Sequence, residues 1–229
     1  MRGQTSHDVP FCTSARYPLA IASALLAIVF APKTASAAEW FVDSHASTEG
    51  TGSLLSPFSH VQTAIDKATS GDTIKVAAGS FKERLKIRRK KLRLEGGYAD
   101  SSFRLRDSLR FVSTIEGVPS EPVVLVEDSG DTIIDGFRII GGQRGMFLNG
   151  GAPTIANCLI ENNNLPGTND RQRGGGICAD GVESVSILNN VVQNNTAARG
   201  AGITVVHCPR ATISGNRVLN NTAHGDHGG

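Results

Sequence analysis

Three side chains invite a chemical reading. Asp180, Arg199 and His207 fall on or beside two short extended segments that open at Ile177 and Ile203. A strand turns alternate side chains to opposite faces. With Ile177 inward, Cys178 and Asp180 point outward; Thr204 does the same, and His207 follows near its strand end. Arg173 and Arg199 lie in the loops leading into this pair. A carboxylate, a guanidinium and an imidazole on one outer face can bind sugar hydroxyls and acidic groups, or move a proton. Catalysis needs convergent groups, and only one acid stands on this sheet, whereas calcium takes several oxygen ligands. The catalytic residues therefore stay unassigned, and Asp180, Arg199 and His207 are the substrate-binding candidates, with ordinary exposed turn residues as the alternative reading of each. His224, Asp226 and His227 are metal-ligand types, but they follow Asn220-Asn221-Thr222-Ala223 as Arg199 follows Asn194-Asn195-Thr196-Ala197, so the repeat accounts for them and no metal is expected.

The remaining chemistry-bearing residues read as structure. Cys158, Cys178 and Cys208 lack zinc-site spacing and suit small buried core positions; after export they allow at most one disulfide and a free thiol. The basic run Lys82–Lys91 is expected as a solvated strand face and turn, with Leu85 and Ile87 inward.

A repeat must position these residues. Ile134, Ile155, Ile187 and Ile213 each open a segment of the same pattern, at spacings of 21, 32 and 26 residues. The last three segments continue into Asn162-Asn163, Asn194-Asn195 and Asn220-Asn221. The longest spacing holds an extra polar loop, Leu165 to Arg173. A second series, Gly174-Gly175-Gly176-Ile177 and Gly200-Ala201-Gly202-Ile203, recurs at 26 residues. Three short strands per coil with this period specify a parallel β-helix; the helical return of a leucine-rich repeat and the length of a propeller blade are both missing. Asn tolerates left-handed turns. Asn190 and Asn216, stacked in successive coils, are expected to form an amide ladder, with Cys158 and Phe137 at the same place in earlier coils. Asn194 and Asn220 head glycosylation sequons but read as turn residues.

Ahead of the repeat, Trp40-Phe41-Val42 reads as a strand. Ser56-Pro57 has the signature of a helix start, and Phe58, Val61, Ile65 and Ala68 give an apolar stripe over a helix from Pro57 to Thr69. Short strands follow at Thr73–Ala77, Leu85–Ile87 and Leu92–Leu94. Such a helix hides the open first coil of a solenoid. The first 37 residues read as a secretory signal: Arg2 and Arg16, the apolar run Tyr17–Phe30, then Ala35-Ser36-Ala37, with cleavage before Ala38. Removing Arg2, Arg16, Lys33 and Asp8 from 23 basic and 21 acidic residues leaves 20 of each. A neutral exported chain argues against nucleic acid as partner.

The segments Phe41-Val-Asp-Ser44, Ser56-Pro-Phe-Ser-His-Val-Gln-Thr-Ala-Ile65, Ser70-Gly-Asp-Thr-Ile-Lys-Val76, Ala78-Gly79 and Leu94-Glu-Gly-Gly-Tyr98 resemble the start of bacterial pectate-lyase-like β-helix proteins. That group includes a domain family of unknown function with the same opening. The resemblance implies an all-β, right-handed parallel β-helix with an N-terminal amphipathic capping helix. The expected layout is a signal peptide (1–37), a cap with first coils (38–100) and β-helix repeats (101–229). Members of the group include lyases with a basic residue beside calcium-binding acids, hydrolases with clustered aspartates, and epimerases marked by Asp-Pro-His. The last two patterns are absent. The expectation is therefore a secreted or cell-envelope module that is structural or binds polysaccharide or cell-surface glycan, without a membrane span after cleavage and without a cofactor. One alternative is a lyase acting by β-elimination on an acidic polysaccharide, for which calcium would serve. Another is a non-functional fragment, because the last coil stops before the next strand-opening Ile and is expected to be truncated.

Overall fold

Strands of three to six residues cannot bury an apolar face singly, so the chain winds and stacks them. The computed structural model describes residues 37–47, 49–167 and 172–225. The predicted signal core and cleavage motif up to Ser36, loop residues 168–171, and Asp226 and His227 lie outside them. β1 (Glu39–Val42) leads to helix α1 (Val61–Lys67). The first coil is β2 (Thr73–Ala77), β3 (Gly79–Lys82) and β4 (Leu85–Arg88). The second is β5 (Arg93–Tyr98), β6 (Ser113–Glu116) and β7 (Pro122–Glu127); the third is β8 (Ile133–Asp135), β9 (Phe137–Ile140) and β10 (Arg144–Asn149). The fourth is β11 (Thr154–Ala156), β12 (Leu159–Glu161) and β13 (Ile177–Asp180). The fifth is β14 (Val185–Leu188), β15 (Val191–Gln193), the two-residue β16 (Thr196–Ala197) and β17 (Ile203–Val206). β18 (Ala211–Ser214), β19 (Arg217–Leu219) and β20 (Thr222–Ala223) complete the described chain.

Like strands stack in parallel into three long sheets. Sheet 1 is β1-β2-β5-β8-β11-β14-β18, sheet 2 is β3-β6-β9-β12-β15-β19, and sheet 3 is β4-β7-β10-β13-β17. This is the parallel β-helix that the repeat specifies. In sheet 1 the inward column runs Trp40, Ile74, Leu94, Ile134, Ile155, Ile187, Ile213 in register. In sheet 2 it runs Phe81, Ile115, Ile139, Ile160, Val192, Val218. Stacked aliphatic side chains fill one continuous core, since β-branched residues pack well on a pleated wall. β17, β18 and β19 are edge strands among the described residues, and Ile213 and Val218 there are about half exposed.

The paired asparagines split two tasks. The first of each pair, Asn162, Asn189, Asn194 and Asn220, takes the left-handed backbone that turns the corner, and Asn157 does so before Cys158. The second turns inward. Asn163 Nδ2 donates to Asn195 Oδ1 at 2.9 Å, and Asn195 Nδ2 donates to Asn221 Oδ1 at 3.0 Å. Asn190 Nδ2 likewise donates to Asn216 Oδ1 at 3.0 Å. The expected ladder at Asn190 and Asn216 exists and extends one step further, because the Cys158 backbone N–H donates to Asn190 Oδ1 at 2.9 Å. The ladder through Asn163, Asn195 and Asn221 was not expected. It explains the glycine column that precedes sheet 3. A Cβ on Gly176 would lie 2.5 Å from the Gly202 carbonyl oxygen, 2.6 Å from Val192 Cγ1 and 3.0 Å from Asn195 Nδ2.

The helix is shorter than expected, spanning Val61–Lys67 rather than residues 57–69. Ser56 and Pro57 do not start it. Ser56 instead closes a small loop on Ser53, and Phe58 N–H donates to the Phe41 carbonyl, which holds this stretch extended beside β1. The cap comes from elsewhere: the Glu83 carboxylate accepts the Val61 and Gln62 backbone N–H groups at 2.8 and 2.9 Å. At the far end Lys90 Nζ donates to the Ile65 and Asp66 carbonyls, the sign that the helix dipole favours. Val61, Ala64 and Ile65 are buried, and α1 packs on β1, β2 and β4, as a lid on the first coil requires. Beneath it, Asp72 is 4% exposed and accepts the Ala38 N–H, the Trp40 indole, and both the backbone and hydroxyl of Thr69.

Candidate functional site

The outer face of sheet 3 carries the residues singled out by chemistry. Leu85, Ile87, Val124, Val126, Met146, Leu148, Ile177 and Ala179 point into the core. Their neighbours form two outward rows. Lys86, Leu125, Phe147, Cys178 and Thr204 are in register in the first. Arg88, Glu127 and Asn149 share the second, which continues to Asp180 and Val206. Stacking at the parallel-strand spacing puts successive members ~4.8 Å apart, close enough for side chains to link. Arg88 Nε meets Glu127 Oε2 at 2.5 Å. Asn149 Nδ2 donates to the Asp180 carbonyl at 2.8 Å. His207 Nδ1 lies 2.8 Å from Asp180 Oδ1.

Asp180 and His207 are thus brought together, as the alternation pattern requires. His207 occupies the turn position filled by Gly150 and Gly181 in the two preceding coils, with φ 49°, an uncommon conformation for a side-chain-bearing residue. Arg199 is not brought to them. It lies four residues before Ile203, on the entering side of the strand, where its backbone pairs with Arg173, while Asp180 and His207 stand on the exit side. Cys178 does face outward, but it is buried, and burial pushes its thiol up to about 11. A thiol held protonated is a poor nucleophile. Cys158 is more deeply protonated still, pushed up to about 12 by burial. Cys158, Cys178 and Cys208 are all free thiols.

Two residues that the sequence reading passed over complete the face. Phe147 stands half-buried in the first row, and the Arg144 guanidinium carbon lies 5.3 Å from its ring centre. Arg144 Nε donates to the Arg173 carbonyl at 3.0 Å, which fixes the guanidinium at the mouth of the polar loop. The signal that would have found them is Gly145-Met146, the same opening as Gly176-Ile177 and Gly202-Ile203; the backbone bonds Gly145 N–H to Gly175 and Met146 N–H to Gly176 confirm the equivalence.

Residues 112–227 match the family model described as the right-handed beta helix region. The chain belongs to that family. No curated protein and no solved structure matches it.

Elsewhere on this β-helix protein, the 99–112 segment overhangs the corner between sheets 1 and 2. The resulting cleft of about 630 Å³ is lined by Leu105, Leu109, Val112, Leu159 and Val191, with Arg106 bound to Asp135 at its base. Along sheet 2, Glu161 accepts from Arg138 at 2.6 Å and from Gln193 at 2.6 Å. Burial pushes the Glu161 carboxyl up, but those partners more than offset it and hold it below its ordinary value. Among the described residues, no three His, Cys, Asp or Glu side chains gather as a metal site. The outer face of sheet 3 thus presents an aromatic ring beside an amide, two carboxylates and an imidazole.

Proposed function

We propose that this is an exported β-helix rod whose third sheet binds a glycan along its outer face. The observation that carries the reading is the half-buried Phe147 ring, set one strand from Asp180 and beside the Asn149–Asp180–His207 row. A sugar ring offers an apolar face and a rim of hydroxyls. An aromatic platform takes the first, and carboxylate or amide groups take the second. The rows run along the solenoid axis, so successive sugars would meet successive coils. Export rests on the Arg2, Arg16, Tyr17–Phe30 and Ala35-Ser36-Ala37 pattern. The environment of Ala38 suits it: cleavage before this residue would leave an ammonium where Ala38 N now sits, 2.8 Å from the buried Asp72 carboxylate.

The test is to probe the secreted chain against an array of soluble plant and bacterial polysaccharides, with sequencing of its N terminus. Saturable binding to one glycan class, by a chain beginning at Ala38, is the expected result. Binding to none would remove the reading. The His207–Asp180 pair supports a second one, β-elimination from an acidic polysaccharide. Ultraviolet absorbance of an unsaturated uronate in the same incubations would separate lyase from binder.

A further inference from the structure

The basic run Lys82–Lys91 does more than cover a strand. Arg84, Lys86, Arg88 and Lys90 converge on one recess of about 630 Å³ between α1 and the edge of sheet 3, whose other charged lining residues are Asp66 and Glu121. Four cations face two carboxylates there. Arg84 is largely buried; one guanidinium nitrogen meets Glu121, yet its Nε–H is buried with no acceptor among the described residues. A guanidinium can offer an oxyanion charge-assisted hydrogen bonds. Lys86 is exposed and makes no ion pair among the described residues. Lys90 spends two of its three donors on the Ile65 and Asp66 carbonyls and keeps one. Arg88 gives its Nε to Glu127 and keeps its outer nitrogens. Burial, and then the charge of Arg88, depress the Arg84 guanidinium below its ordinary value, against the opposing pull of Glu127.

We propose that this recess binds a phosphate ester. The lining itself has two cations in excess, with Glu127 holding Arg88 from outside it, and a phosphate monoester carries about −1.5 to −2 near neutral pH, whereas a carboxylate carries one charge. The volume accommodates a phosphorylated sugar or lipid headgroup and exceeds what an isolated ion fills. The recess lies at the β4 end of the same outward rows, two strands from Phe147, and its phosphate titration is read without glycan.

The experiment is a set of titrations of the full chain at constant ionic strength, followed by calorimetry and thermal unfolding. Inorganic phosphate and glucose 6-phosphate are the soluble probes, acetate is the monoanionic control, and vesicles of phosphatidate are compared with vesicles of phosphatidylcholine. Phosphate is expected to raise the unfolding midpoint where acetate does not. Lys86→Gln, at an exposed tip, should weaken phosphate about 5-fold, and Glu121→Gln, which releases Arg84, should tighten it by a similar factor. The opposite signs exclude a general loss of folding. Binding of glucose 6-phosphate alone would place the ester on a soluble molecule, and capture by phosphatidate vesicles would place it on a headgroup; either upholds the site. Phosphate acting no better than acetate, or Lys86→Gln and Glu121→Gln both matching wild type, would overturn it.

Discussion

Asn195 is a fully committed rung of the solenoid. Its Oδ1 accepts both the backbone N–H and the Nδ2 of Asn163, and its own Nδ2 serves Ile160 and Asn221. Replacing it with Ala strands the buried Asn163 backbone N–H and breaks the rung to Asn221, so Asn195→Ala should cost about 2 kcal/mol in a urea unfolding experiment, and the exposed turn residue Asn194, changed to Gly, far less. Asp72 makes a second residue-scale prediction. Burial raises its carboxyl, but the bonds from Trp40, Thr69 and Ala38 outweigh that and hold it below its ordinary value. A depressed carboxylate contributes stability that is present above its unfolded pKa of about 3.9 and is lost as pH falls through the folded value. The unfolding midpoint should therefore be flat from neutrality to about pH 5 and fall below about pH 4, with Glu161 contributing in the same sense. Asp72→Asn should be less stable at neutral pH and fall less steeply in acid. Asn-Asn pairs were legible as turns. That the second member of each pair forms an internal rung was legible only at Asn190 and Asn216, because nothing in the sequence says which amide of a pair faces in.

At the scale of the element, the strand-opening glycines are fixed by the rung behind them. Gly176→Ala drives a methyl into the Gly202 carbonyl and Val192, and should cost about 3 kcal/mol by the same measurement. Gly181, whose added Cβ would meet nothing nearer than 3.4 Å but whose φ is 70°, should lose only about 1 kcal/mol as Ala. Equal losses at the two sites would undo this account of the Gly-rich motif. Strand positions at Thr73–Ala77 and Leu85–Ile87 followed from alternation alone, the second running one residue further, to Arg88. The helix start did not. Ser56-Pro57 has the right local chemistry, but the competing backbone pairing of Phe58 with Phe41 holds it extended, and Glu83, distant in sequence, supplies the cap. A cap delivered from another strand leaves no local trace.

Across the whole molecule, the repeat specified the architecture. What hid the second coil, with β6 and β7, was the 99–112 insertion, which stretches that coil beyond the period of its neighbours. The same blind spot concealed Arg144 and Phe147 in the third coil, so the candidate face was read from its last two strands only. Asp180 and His207 were legible from alternation, and so was the place of Arg199 in the loop entering the sheet; what alternation did not show is that this loop lies at the strand end opposite His207. The central claim is that the outer face of sheet 3 recognises glycan through Phe147, and calorimetric titration of the array's best polysaccharide into wild type and Phe147→Ala tests it most directly. Loss of a stacking platform should weaken binding about 10-fold, with the unfolding midpoint lowered only modestly and the chain still folded at the titration temperature. A Phe147→Ala protein that binds as tightly as wild type would contradict the claim.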